Sequence, residues 1–153
     1  MPGLLCGLLF ALNSLDMPPA PHILISDDDP LLVAAVMREA KKLGMTVIAD
    51  TTSTKVVQLA KQYRPAVILL DIRQPIDGRD ILSMLKQEPE TKDIKVIMLS
   101  GMEDQDTRLA CFKLGAEDYV VKPFGPTLLV NISRSICDTG TTQPLLPTLP
   151  PCP

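Results

Sequence analysis

Asp27, Asp28, Asp71, Ser100 and Lys122 are the residues whose types and placement could do chemistry together. Each follows a short strand-like run: Ile23-Leu24-Ile25 leads to the first two, Ala66 to Leu70 to Asp71, Lys95 to Leu99 to Ser100, and Tyr119 to Val121 to Lys122. Carboxylates crowded together repel one another and raise some of their own pKa values unless a cation sits among them. Mg²⁺ fits such a set, being hard, oxygen-seeking and content to keep several waters, with Mn²⁺ as the alternative. An aspartate can attack phosphorus to give an acyl phosphate. The charge that builds on the phosphoryl oxygens then calls for a fixed ammonium and a hydroxyl donor, which Lys122 and Ser100 would supply.

Taken singly, these residues have plainer readings. A run of aspartates after a strand can be a solvated turn or an N-cap, and Asp71 can close an Asx-turn. Lys122 can be an exposed lysine and Ser100 a turn residue. Their joint occurrence at four strand ends is what points to a site.

The elements that must position them alternate along the chain. Leu31 to Leu43 has apolar residues at helical spacing, opened by Pro30 and closed by Gly44. Thr46 to Ala49 is a second strand, and Thr51 to Thr54 offer N-caps for a helix reaching about Tyr63, where Pro65 bars continuation. Further helices are expected from about Arg79 to Gln87, up to Gly115, and from Leu128 to Ile136. Strand then helix, repeated five times with strands apolar on both faces, predicts a doubly wound α/β fold with a five-stranded parallel sheet. Such sheets bind ligands at the carboxyl ends of their strands, where strand order reverses. If the first and third strands are neighbours, the three aspartates converge there.

Composition sets outer bounds. With 153 residues, 46% hydrophobic and 22% charged, the chain suits one globular domain rather than wholesale disorder. A net charge of −3, no dense Lys/Arg cluster and few aromatics disfavour direct nucleic-acid binding. Cys6, Cys111, Cys137 and Cys152 share no CxxC spacing and have only His22 as a histidine partner, which argues against zinc and for a reducing, cytoplasmic setting. Residues 1–21 form an N-terminal extension whose apolar run, Leu4 to Leu12, is too short for a membrane span and lacks a basic flank, since no Lys or Arg precedes Arg38. Translation beginning at Met17 would account for it. Residues 22–137 are read as the domain and 138–153 as a disordered, Pro/Thr-rich tail.

At these residues the chain resembles the response-regulator receiver family of two-component signalling, over about His22 to Ile136. Ile23 to Pro30 looks like the first strand with its acidic pair, and Val67 to Asp71 like the strand delivering the phospho-acceptor. Val96 to Gly101 matches the strand ending in Ser/Thr, and Gly115 to Phe124 the lysine strand, whose Lys-Pro bond is commonly cis. The resemblance implies the flavodoxin-like strand order 2-1-3-4-5. It implies phosphorylation of Asp71 by a sensor histidine kinase or a histidine phosphotransfer protein. Asp28 and Asp71 would ligate Mg²⁺ directly, Asp27 would hold a water of the metal shell, and the backbone carbonyl of Arg73 would complete it. Ser100 and Lys122 would clamp the phosphoryl group, and Tyr119 would be the aromatic switch that turns inward as Ser100 moves. The output would leave through a face around Arg108, Phe112, Tyr119 and Leu128 toward a downstream protein, with a homodimer left open. No membrane, no direct nucleic-acid contact and no turnover beyond its own phosphorylation and dephosphorylation are implied.

Two departures from the family pattern stand out. Pro75-Ile76-Asp77-Gly78 has one residue fewer than the usual loop after the acceptor, which bears on where the Arg73 carbonyl sits. Arg73 and Met102 occupy the two variable positions that influence hydrolysis of the acyl phosphate. The competing readings are a pseudo-receiver serving as an unphosphorylated interaction module, and an aspartate-nucleophile phosphohydrolase. The intact acidic pair, Asp71, Ser100 and Lys122 oppose the first. Asp71-Ile72-Arg73, which lacks a second acid, opposes the other.

Overall fold

A computed structural model describes residues 20–101 and 104–142. Five strands, β1 (Ile23–Ser26), β2 (Val47–Asp50), β3 (Val67–Asp71), β4 (Lys95–Ser100) and β5 (Asp118–Val121), alternate with five helices. The helices are α1 (Pro30–Lys42), α2 (Val56–Tyr63), α3 (Gly78–Gln87), α4 (Gln105–Lys113) and α5 (Pro126–Thr142). All strands pair in parallel in the order β2-β1-β3-β4-β5. The expected doubly wound sheet is what forms.

Apolar residues stand on both faces of the inner strands because helices cover both. Leu24, Ile68, Leu70, Val96 and Met98 pack on one side with Ile81, Leu82 and Leu85 of α3. Their strand neighbours Ile23, Ile25, Val67, Leu69, Ile97 and Leu99 pack on the other with Val33, Val36 and Ala40 of α1 and Leu129 and Val130 of α5. The edge strand β2 is only partly covered, in keeping with its more mixed sequence. Helix α4 buries only Thr107 and Cys111, while Leu109 and Phe112 face outward. Among the described residues, no helix is long and apolar enough to cross a membrane.

Side-chain carboxylates begin three of the helices by accepting from otherwise unpaired backbone amides. Asp29 accepts from Leu31 and Leu32, Asp77 from Arg79, and Asp104 from Asp106 and Thr107. At the far end of α3, the buried Thr91 hydroxyl donates to the Leu85 carbonyl over 2.6 Å. Thr91→Val is expected to cost about 1–2 kcal/mol in urea denaturation, because it strands that carbonyl without changing side-chain volume. An unchanged midpoint would contradict this.

Three expectations need correction. Helix α2 is not capped by Thr51 to Thr54: Lys55 is its N-cap and supplies no side-chain bond. The reason is Asp50, which ends β2 one residue later than expected. Its carboxylate takes the amides of Thr52 and Lys55 and the Thr52 hydroxyl, winding the segment into a turn. Helix α3 starts at Gly78 rather than Arg79, with Asp77 as cap. Helix α5 runs to Thr142, past the boundary expected near Cys137, and so takes in the first residues of the expected tail. The rest of that tail, most of the N-terminal extension and Met102 lie outside the described residues.

Candidate metal and phosphoryl site

Parallel pairing of β1 with β3 and of β3 with β4 sets their carboxyl ends side by side, with Ser26 opposite Leu70 and Asp71 opposite Leu99. Each residue just beyond therefore opens onto one rim. Asp27, Asp28 and Asp71 each place a carboxylate oxygen there, all within 4.8 Å of one another. Asp27 and Asp71 are buried and Asp28 is exposed. From β5, the Lys122 ammonium reaches Asp27 Oδ2 at 2.9 Å and Asp71 Oδ2 at 3.4 Å. The backbone beside it is tied to β4, the Lys122 amide donating to the Ser100 carbonyl over 2.7 Å, and the Lys122–Pro123 bond is cis. Ser100 is fully buried at the end of β4.

Electrostatics follow from this crowding. Burial raises the Asp71 carboxyl, the neighbouring Asp27 raises it further, and Lys122 and the Arg73 amide only partly offset this, leaving it at about 6. Burial works against the Lys122 charge, but its bond to Asp27 and the charges of Asp27 and Asp71 outweigh that and hold its pKa above the usual lysine value. The remaining lone pairs have defined uses. Asp27 Oδ1 accepts the Asp29 amide over 2.9 Å, and Asp71 Oδ1 accepts the Arg73 amide over 3.2 Å.

The donor set suits a hard divalent cation: oxygen ligands only, three carboxylates, and an open side where waters can complete a shell. That open side is a cavity of about 680 Å³ lined by Asp28, Arg73, Gln74, Asp77 and Arg79, among others. Arg73 is exposed on its wall. Tyr119 lies apart from the carboxylates. It is buried in the strand, with its ring under the Arg108 guanidinium at 5.6 Å.

Sequence reasoning gathered the acidic trio and Lys122 but missed the groups that hold the loop after Asp71. Gln74 Nε2 donates to the Asp71 carbonyl over 2.9 Å, and its Oε1 accepts from the buried Ser26 hydroxyl over 3.0 Å. The buried Ser53 hydroxyl accepts the Ile76 amide over 2.9 Å. No periodicity marks a Gln or Ser in a loop, so only three-dimensional proximity could have found them.

Comparison with known proteins bears on this geometry directly. Residues 23–134 match the model of the response regulator receiver domain. The Synechocystis DNA-binding dual master transcriptional regulator RpaA is 35% identical over 105 residues, 68% of this chain and 44% of that protein. The transcriptional regulatory protein PrrA of Mycobacterium tuberculosis is 33% identical over 106 residues, 69% of this chain and 45% of its own length. The chain thus spans less than half the length of these curated relatives. A putative response regulator from Chloroflexus aurantiacus superposes with a TM-score of 0.68 at 29% identity, covering 77% of this chain and 98% of that one. The matched region carries the sheet, the acidic rim and the lysine strand alike, and by that match the chain belongs to the response regulator receiver domain family of two-component signalling.

Proposed function

We propose that this receiver domain takes a phosphoryl group on Asp71 from the phosphohistidine of a sensor histidine kinase or histidine phosphotransfer protein, in a Mg²⁺-dependent reaction. The observation that carries the reading is Lys122, whose ammonium lies 2.9 Å from Asp27 and 3.4 Å from Asp71, beside a carboxylate oxygen of Asp28. In a merely solvated acidic turn nothing would bring that cation from another strand into the cluster.

Asp28 and Asp71 would hold the metal through their side chains, Asp27 through a water, and Arg73 through its backbone carbonyl. Bound there, Mg²⁺ supplies positive charge to the transferring phosphoryl oxygens. An Asp71 oxygen forms the new bond to phosphorus as the phosphorus–nitrogen bond breaks, and its electron pair leaves with the donor imidazole. Lys122, already aimed at Asp71, neutralises a second oxygen, and the Ser100 hydroxyl donates to a third. Movement of Ser100 toward that oxygen would free space for Tyr119. Helix α4, with few buried residues, then offers Arg108, Phe112 and, from α5, Leu128 as a surface that a downstream protein reads. Phosphorylation biases this switch only by its different interaction with the two states. The negative net charge supports a protein rather than a nucleic acid as the direct partner of this region, in the cytoplasm. The unit so proposed runs from His22 through α5.

Beryllofluoride titration followed by NMR tests the reading. Shifts at residues 27–28, 71–73, 100 and 122 that require Mg²⁺, with a response spreading to α4 and β5, are expected. A titration without Mg²⁺-dependent shifts would overturn it. Arg73 is exposed on the wall of the cavity beside Asp28, two residues from Asp71. Arg73→Asn is therefore expected to shorten the acyl-phosphate lifetime several-fold, followed as the decay of the retarded band on a phosphate-affinity gel. An unchanged decay would remove Arg73 from control of hydrolysis.

A further inference from the structure

The loop from Ile72 to Asp77 is held at two points by buried hydroxyls from elsewhere in the chain, Ser26 of β1 and Ser53 of the turn after β2. At its start, the Gln74 carboxamide links the Asp71 carbonyl (2.9 Å) to the Ser26 hydroxyl of β1 (3.0 Å). At its end, the Ile76 amide is held by the hydroxyl of Ser53, in the turn after β2. That turn is itself fixed: Ser53 adopts φ 65°, and the Asp50 carboxylate ties down Thr52 and Lys55 on either side of it. A non-glycine residue in the left-handed region persists only where its surroundings over-determine it. Here the surroundings direct a hydroxyl at the loop. Arg73 therefore lies between two restrained points, its own amide bound to Asp71 Oδ1 at 3.2 Å and the next residue pinned through its side chain.

We infer that Gln74 and Ser53 are positioning residues, a two-point brace that sets the main chain of Arg73 against the acidic rim and thereby sets the affinity for the divalent cation. The inference rests on the metal-site reading above. Groups that orient ligands are worth about 10–100-fold in metal affinity in characterised sites. The brace also connects β1, β2 and β3 through polar groups at the one rim where the apolar core gives no hold.

The test uses the whole chain with Gln74→Met, which keeps length and loses both hydrogen bonds, and Ser26→Ala, which removes only the anchor of the carboxamide. Ser53→Gly deletes the hydroxyl while suiting the positive φ, so a folding failure does not obscure the result. Mg²⁺ affinity is read from amide shifts, and loop opening from hydrogen exchange at residues 72–76 in EDTA. The expected result is at least about tenfold weaker Mg²⁺ binding and faster exchange in Gln74→Met and Ser53→Gly, with the Ser26→Ala/Gln74→Met pair no weaker than Gln74→Met alone. Unchanged Mg²⁺ affinity and exchange in both single variants would overturn the brace. Wild-type protein that binds no Mg²⁺ would overturn the metal-site reading instead, and exchange in EDTA would still decide whether the brace holds the loop.

Discussion

Asp71→Asn is expected to give a protein that takes no phosphoryl group and yet, stripped of divalent metal, resists urea better than its parent. The first half follows from chemistry: a carboxamide has no anionic oxygen to attack phosphorus, so incubation with acetyl phosphate and Mg²⁺ should leave no retarded band on a phosphate-affinity gel. The second half follows from burial. In the folded chain the Asp71 carboxyl sits at about 6, raised by burial and by Asp27. The native state therefore keeps its proton through a pH range where the unfolded chain has already lost it. Stability is greatest below the unfolded carboxylate value near 4 and is lost as pH rises through 6. At pH 7.5 in EDTA the charge costs roughly 3 kcal/mol, which asparagine avoids. The advantage should vanish near pH 4, and should shrink at pH 7.5 once Mg²⁺ is added, because only the parent gains from binding it. A variant less stable than the parent at pH 7.5 in EDTA would show that the carboxylates are not in conflict, and retained phosphorylation would remove Asp71 as acceptor.

Gly78→Ala should be the most damaging single methyl in the domain. A Cβ there would lie 2.3 Å from the Asp71 carbonyl oxygen and 2.8 Å from the Ile72 Cα, and both are main-chain atoms. No rotamer change relieves such a contact. The Gly78 amide also donates to the Ile72 carbonyl over 2.9 Å, so helix and strand end are already at hydrogen-bonding distance. Overpacking typically costs about 1–3 kcal/mol, and rigid backbone on both sides argues for about 3 kcal/mol or more here. Whatever fraction stays folded must push Asp71 and Ile72 outward, so Mg²⁺ binding should weaken as well. Urea denaturation and a Mg²⁺ titration check the two effects, and native values in both would show that the start of α3 moves freely away from β3. The helix thus begins directly against the end of the acceptor strand.

The fold was legible where burial alone dictates sequence. Val67 to Leu70 and Val96 to Leu99 are unbroken apolar runs because helices cover both faces, and the residue after each run had to be at the rim. Asp27, Asp28, Asp71 and Lys122 could thus be gathered from strand ends before any coordinates. Local polar chemistry was less legible. Thr51 to Thr54 look like capping residues, but the same amides were open to Asp50, and a carboxylate five residues before the Lys55 amide won the competition. Gln74 and Ser53 carry no pattern because their partners lie far away in the sequence. The end of α5 was misjudged because apolar spacing fades near Ile136, whereas sterics allow the helix to continue to Thr142.

The aromatic inventory has a practical outcome. The chain has no tryptophan and two tyrosines, Tyr63 exposed and Tyr119 enclosed beneath the Arg108 guanidinium. Its near-ultraviolet dichroism should thus come chiefly from one ring in a fixed chiral setting. The domain carries an optical reporter at the surface proposed above to meet a downstream protein, so a rearrangement there can be followed in unlabelled protein.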